Sequence, residues 1–172
     1  MEAIKAMLER RSVRGFKSEQ ISNEQLDTIL EAGKYAPSGR GRQASIMVVI
    51  QDKETIAQIT KMNSDIMGTG QEDPFYGAPT IIIVLADKTI PTHLYDAALV
   101  MGNLMNCAYA VGVDSCWIHR AREEFESEQG KALLKKWGIE GDYVGIGHVA
   151  LGYRNGPLPE PKPRKEGYVY RV

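Results

Sequence analysis

Apolar residues recur at Ala3, Ile4, Met7 and Leu8, a helical spacing that predicts a first helix over about Glu2 to Arg10. That helix delivers the stretch RRSVRGF, Arg10 to Phe16, onto the loop that leaves its C-terminal end. In the following ISNEQLDTILEAGKYAPSG, Ser22 and Gln25 form a capping box, while Ile21 and Leu26 occupy the staple positions that fix the entry angle of a second helix. Leu26, Ile29, Leu30 and Gly33 make its inner face, and Pro37 forces an end near Ala36.

SIMVVIQ (Ser45 to Gln51) and TIIIVLAD (Thr80 to Asp87) are short, β-branched and bounded by Gly, Pro or Asp, the pattern of strands buried inside a sheet. Between them a helix is predicted from Lys53 to Met62. The polar loop GTGQEDPFYGAP, Gly68 to Pro79, is long enough to be functional or mobile rather than idle. Thr92 to Val111 is apolar nearly all round, broken only by Asp96, Asn103 and Asn106, so it must be covered on most sides, and a second subunit is the favoured cover. A strand DSCWIH, a polar helix from about Glu123 to Trp137 and a strand YVGIGHVALGYR follow. The tail NGPLPEPKPRKEGYVYRV holds four of the eight prolines and is expected to be extended. This order of elements predicts a single α/β sandwich: one domain over 1–172, with 154–172 as an extended C-terminal tail.

Composition narrows the class without changing this picture. At 172 residues, 43% hydrophobic and 25% charged, the chain is an ordinary globular protein. Its longest apolar run, Ile81 to Ala86, is far below the roughly 20 residues of a membrane helix, and its first residues lack a signal peptide's apolar segment. A cytoplasmic protein with no membrane partner is expected. Basic and acidic residues balance, 21 against 22, so no global field would hold a polyanion and no nucleic-acid partner is expected. Cys107 and Cys116 flank the Val111-Gly112 turn without metal-ligand spacing and read as free thiols. No GxGxxG follows a strand and no GxxxxGK[ST] occurs.

The chemistry lies in donors for anions. Arginine presents a planar fork that meets phosphate oxygens in pairs, and serine adds a short donor, so RRSVR suits one phosphate or carbonyl edge; taken alone it reads as a solvated face. KPRK, Lys162 to Lys165, places Lys162 and Arg164 on the same side of an extended chain, where they can form a second clamp. APSGRGRQ, Ala36 to Gln43, ends a helix in a donor-rich turn open to a flat ligand, and by itself is simply a turn. His93 reads as a helix cap and His148 as structural, while His119 ends a strand, where sites are commonly lined. Ser12 and Ser38 lack a nucleophile context such as GxSxG, and no carboxylates pair. A chain rich in anion donors and poor in catalytic side chains fits a protein whose cofactor carries the chemistry.

In their order along the chain, RRSVRGF, APSGRGRQ, YGAPTIIIV, DAALVMGNLMNCAYAVGVDSCWI, LGY and KPR resemble the nitroreductase family of flavin enzymes over nearly the whole length. The resemblance implies an α+β flavoprotein: a nitroreductase-like α/β sandwich whose central mixed, largely antiparallel sheet is flanked by helices, in an intertwined homodimer with two FMN molecules at the interface. By the same resemblance Arg10, Arg11, Ser12 and Arg14 hold the FMN phosphate, ribityl chain and pyrimidine edge, and Lys162 and Arg164 complete the phosphate site. Pro37, Ser38 and Gly39 approach the isoalloxazine from the other subunit. The backbone of His119 and Arg120 runs beside the flavin N5, and Asn63 matches a polar contact to the ring. The implied activity passes hydride from NADH or NADPH, through N5, to an electron-poor small molecule such as a nitroaromatic or quinone, with no side chain acting as nucleophile or base. A flavin-binding sensor or carrier of the same fold, without turnover, is the alternative. The chain departs from the family pattern at Gly41, where relatives often carry Asn, at Ala44 in place of Pro, and at His119, a position commonly small or acidic. His119 accordingly either shapes the acceptor pocket or supplies a proton.

Overall fold

The computed structural model describes residues 2–172. The first helix, α1 (Ala3–Glu9), buries Ala6 and leaves Ile4, Met7 and Leu8 exposed on one stripe. The second, α2 (Asn23–Lys34), starts where its capping box requires: the Ser22 side chain accepts the Gln25 N–H at 3.1 Å, and the Gln25 side chain accepts the Ser22 N–H at 3.1 Å. There follow β1 (Ser45–Ile50), α3 (Lys53–Met67), β2 (Thr80–Asp87), α4 (His93–Ala110), β3 (Asp114–Ile118), α5 (Ala121–Glu126), α6 (Glu128–Lys136) and β4 (Tyr143–Gly152). No helix among the described residues is long and apolar enough to cross a membrane.

The four strands form one sheet in the order β1-β2-β4-β3, every neighbouring pair antiparallel. A single parallel bridge joins Ser12 to Ser115 beside β3. The continuous apolar run of β2 is explained by cover on both faces. Ile81, Ile83 and Leu85 point into one core, with Ile59 and Met62 of α3 and Phe125, Leu133 and Leu134 of α5 and α6. Ile82, Val84 and Ala86 point into the other, with Leu26 and Ile29 of α2 and Val100, Met101 and Leu104 of α4. Each such side chain contributes about 1.5–3 kcal/mol by leaving water.

β4 is built for close approach. Its register against β2 shifts between Val84 and Leu85, where Gly147 and Gly145 are the partners. A Cβ on Gly145 would stand 2.1 Å from the Ala121 carbonyl oxygen, so the bare backbone is what lets the first residue of α5 seat on the strand.

Three elements differ from the sequence reading. β1 is an edge strand, only Ile50 of it buried, because a short β-branched run has the same pattern at an edge as in the centre. α3 runs past Met62 to Met67 and ends on Gly68 in the left-handed conformation, φ 62°. The polar helix over 123–137 is two helices, broken at Ser127, whose Oγ donates to the Glu124 carbonyl at 2.6 Å and accepts the Gly130 N–H at 3.0 Å. The tail is extended, and residues 159–172 are all exposed.

Between β3 and α5 stands Arg120 at φ 80°, ψ 0°, a left-handed conformation that costs an L side chain about 1–2 kcal/mol. Its side chain pairs with Glu123 at 2.9 Å. Arg120→Gly should therefore be more stable in urea than Arg120→Ala by about 1 kcal/mol, since both lose the Glu123 pair and only glycine relieves the backbone; equal midpoints would mean an unstrained turn. Gly145→Ala should lose about 1–3 kcal/mol, because the atom it meets is backbone and cannot rotate away. An unchanged denaturation midpoint would show that α5 seats elsewhere.

Candidate active site

The segment RRSVRGF is laid across the end of the sheet by its apolar members. Val13 and Phe16 are buried, the Val13 N–H donates to the Ser115 carbonyl at 3.0 Å, and the Phe16 N–H donates to the Tyr76 carbonyl at 3.1 Å. With Val13 and Phe16 turned into the core, Arg14 between them is left exposed. Arg11 turns back onto α1, its Nη1 donating to the Leu8 and Arg10 carbonyls at 2.8 Å each, which satisfies acceptors at the helix end.

This segment holds donors that nothing among the described residues accepts. Arg10 Nη1, Arg11 Nε and the neighbouring Ser115 Oγ are buried without a hydrogen-bond partner. Burial pushes the Arg10 guanidinium below its ordinary value, against the pull of Cys116 and with the help of Arg11. Unsatisfied buried donors are rare in native proteins and call for an explanation.

Further along the two segments, at Arg14 and Cys116, opens a cavity of about 200 Å³ whose wall also includes Asn63, Tyr76, Trp117, His119 and Arg120. Burial pushes the Cys116 thiol up, although Arg14, Ser12 and Arg10 pull the other way, so at neutral pH it is a protonated thiol and no nucleophile. Asn63 is buried and spends both amide hydrogens within the protein, on the His119 carbonyl at 2.8 Å and on Glu124 Oε1 at 2.5 Å. Glu124 and His148 are both at 0% exposure and meet at 2.9 Å between Oε2 and Nε2.

Pro37 and Ser38 line a separate depression of about 110 Å³ with Gly33, Met47, Asp96 and Val100, Gly39 follows them in the turn, and no residue lines both spaces. Asp96, buried at the start of α4, fixes the turn: Oδ1 accepts the Gly39 N–H at 2.9 Å and Oδ2 accepts the Thr92 hydroxyl at 2.8 Å. A Cβ at Gly39 would stand 2.5 Å from Thr92 Oγ1. The fold thus gathers Arg14, Asn63, His119 and Arg120 around one cavity, with Arg10, Arg11 and Ser12 preceding Arg14 on its segment. Pro37, Ser38 and Gly39 lie elsewhere in the same chain. Lys162 and Arg164 lie on the exposed tail, with no hydrogen bond or ion pair to the Arg10–Arg14 segment among the described residues.

Two anchors escaped the sequence reading. Asp96 was visible only as an interruption of an apolar helix. Glu124 stands in a run of acidic residues, yet its place three after Ala121 and next to Phe125 sets it on the inner face of α5, the one signal that separates it from its neighbours.

The chain matches the model of the Nitroreductase family over residues 7–72 and 59–153. It is 31% identical over 172 residues to a protein of Archaeoglobus fulgidus named as an NADH dehydrogenase/NAD(P)H nitroreductase, covering 97% of this chain and 90% of the relative. Among solved structures, a nitroreductase with bound FMN from Bacteroides fragilis superposes with a TM-score of 0.90 at 26% identity, covering 100% of this chain and 99% of that one. A nitroreductase with bound FMN from Desulfitobacterium hafniense gives a TM-score of 0.87 at 29% identity, with 100% of both chains covered. The ordered motifs, the antiparallel sheet between two helical layers and the donor-lined cavity at its end agree with these matches: the chain belongs to the nitroreductase family.

Proposed function

We propose that this protein is an FMN-dependent oxidoreductase that takes electrons from NADH or NADPH and gives them to an electron-poor small molecule, a nitroaromatic or a quinone, as a homodimer. The observation that carries the reading is the set of buried, unpartnered donors, Arg10 Nη1, Arg11 Nε and Ser115 Oγ, on two segments whose Arg14 and Cys116 line a cavity. Donors without acceptors fit a ligand that brings its own oxygens, and a phosphate answers guanidinium forks in pairs. The two FMN-bound relatives, alike in fold over the full length, support the same ligand.

Arg10, Arg11, Ser12 and Arg14 would hold the phosphate, ribityl chain and pyrimidine edge, with Lys162 and Arg164 completing the phosphate site. When bound, FMN supplies the two-electron chemistry. The chain's own part is binding and polarisation. A guanidinium fixed at the pyrimidine edge stabilises negative charge there without reorganising, the usual advantage of a built-in electrostatic site. His119 stands on the cavity wall, where it shapes the space left for the acceptor. The turn Pro37–Gly39, made rigid by Asp96, is suited to close the ring's other side from a second subunit.

Surface chemistry supports the dimer. Ile4, Met7 and Leu8 of α1 lie on one stripe at 62–72% exposure, and Leu94, Tyr95 and Leu99 bare the outer side of α4. In the tail, Tyr168, Val169 and Tyr170 are exposed as well. Apolar area this extensive marks an interaction site, and a second copy presents the complementary surface by symmetry.

The purified protein should be yellow, bleach on rapid mixing with NADH or NADPH, and sediment as a dimer. A preparation that neither retains nor rebinds FMN would sink the reading, and one that binds FMN but is not bleached by either nucleotide would reduce it to a flavin carrier. Arg10→Ala and Arg14→Ala should each weaken FMN binding by about 1.5–3 kcal/mol, the loss of a charged hydrogen bond, measured by flavin fluorescence titration. Unchanged affinity would mean that the cluster serves only the surface.

A further inference from the structure

Asn63, Glu124 and His148 form a buried hydrogen-bond chain, the three side chains at 0–1% exposure. Burial energy alone does not account for it. Apolar residues of the same volume often stabilise a core as well as a buried polar pair does, and this pair also leaves His148 Nδ1 buried without a partner, edge-on to Phe75. What the chain adds is a grip on one turn. Asn63 draws the His119 carbonyl toward itself at 2.8 Å, and the Glu124 N–H holds the Arg120 carbonyl at 3.0 Å. The two peptide groups flanking Arg120 are therefore both tied to Glu124, one through Asn63 and one directly. Such over-determination is what lets a non-glycine residue persist at φ 80°.

The direction of the grip matters. A trans peptide carries its C=O and N–H on opposite sides, so a carbonyl drawn toward Asn63 turns the Arg120 N–H away from it. Among the described residues that N–H donates to no protein acceptor. His148 faces Ile118 in the β3–β4 register, so the far end of the chain is rooted in the ladder immediately before the turn.

We propose that Asn63, Glu124 and His148 are positioning residues that hold the peptide between His119 and Arg120 with its N–H presented to the cavity as a donor to the N5 edge of the flavin. The inference rests on the FMN reading above. The donor is built in before the ligand arrives, and it meets the N5 lone pair of the oxidised ring, so it holds the ring in place and sets its potential at no cost in reorganisation.

The test uses the FMN-loaded protein and three variants, Asn63→Ala, Glu124→Leu and Glu124→Gln. Losing one such donor is worth about tenfold in the reduction equilibrium, about 30 mV for a two-electron couple. Asn63→Ala and Glu124→Leu should raise the flavin midpoint potential by that amount and weaken binding of oxidised FMN by about the same factor, because the lost donor served the N5 lone pair of the oxidised ring. Glu124→Gln, which still offers an oxygen to Asn63, should bring the potential most of the way back to the wild-type value. A role in stability alone would move the melting temperature of these variants and leave the potential in place, and that outcome overturns the proposal. Should Glu124→Leu or Asn63→Ala not fold, hydrogen exchange in the wild type decides: the Arg120 amide should slow by about tenfold when FMN binds, and an unchanged rate refutes the assignment. Protein that takes up no FMN defeats the proposed function instead; protein that takes it up with an indifferent potential defeats only this inference.

Discussion

A carboxylate shut away from water has to find donors for both its oxygens, and much of the site follows from how Glu124 meets that demand. One oxygen takes an amide hydrogen from α3, the other meets the imidazole of β4, and its backbone N–H turns inward to the residue that opens α5. Removing either side-chain partner would leave a buried polar group short of a bond, which costs more than the bond itself was worth. The carboxylate therefore locks three elements to one another at the end of the sheet. Gly145 and Gly130 make this lock possible, since a Cβ on either would meet backbone of α5 at about 2 Å.

The same device appears a second time on the other face. Asp96, buried at the start of α4, binds the Gly39 N–H and the Thr92 hydroxyl, and so holds a turn whose next residue, Arg40, has a positive φ of 56°. In both places a buried acid stabilises a backbone shape that its own residues disfavour, and in both the shaped backbone lies beside an open depression. Fixed backbone donors suit a flat polar ligand better than mobile side chains do, because their direction is already set before binding.

The fold was largely legible in the order of the apolar runs. The capping box at Ser22, the two-sided burial of β2 and the extent of α4 follow from local pattern, so the sequence carries them openly. The edge position of β1 did not follow, because pairing partners lie far away in the chain and a β-branched run is silent about which side is free. The break at Ser127 was hidden for a related reason. A serine inside a polar helix and a serine capping the next one look alike until the Gly130 backbone is seen pressed against Glu124. For the site, motif spacing singled out Arg10, Arg14 and His119, which stand on or next to one cavity. Asn63 came only with the family resemblance, His148 read as structural and Asp96 as a break in an apolar helix, and Glu124 was lost in its acidic run, with only its spacing from Ala121 to mark the inner face of α5.

The separation of the two depressions bears on the proposed assembly. A flat ring needs cover on both faces to exclude water, yet the cavity beside Arg14 and the turn at Gly39 share no wall within one chain. In the proposed dimer a second copy related by a two-fold axis would bring the turn of each chain to the cavity of the other, and would do so twice, because such a contact is self-complementary. The surfaces such a docking would bury are the ones left bare: the α1 stripe, the outer side of α4 and the aromatic end of the tail. α4 links the two requirements. It carries Asp96, which shapes the turn, and on its outer side Leu94, Tyr95 and Leu99, which need a partner. On the proposed reading, loss of the dimer interface and loss of the flavin's second wall are therefore one event, since the same helix supports both.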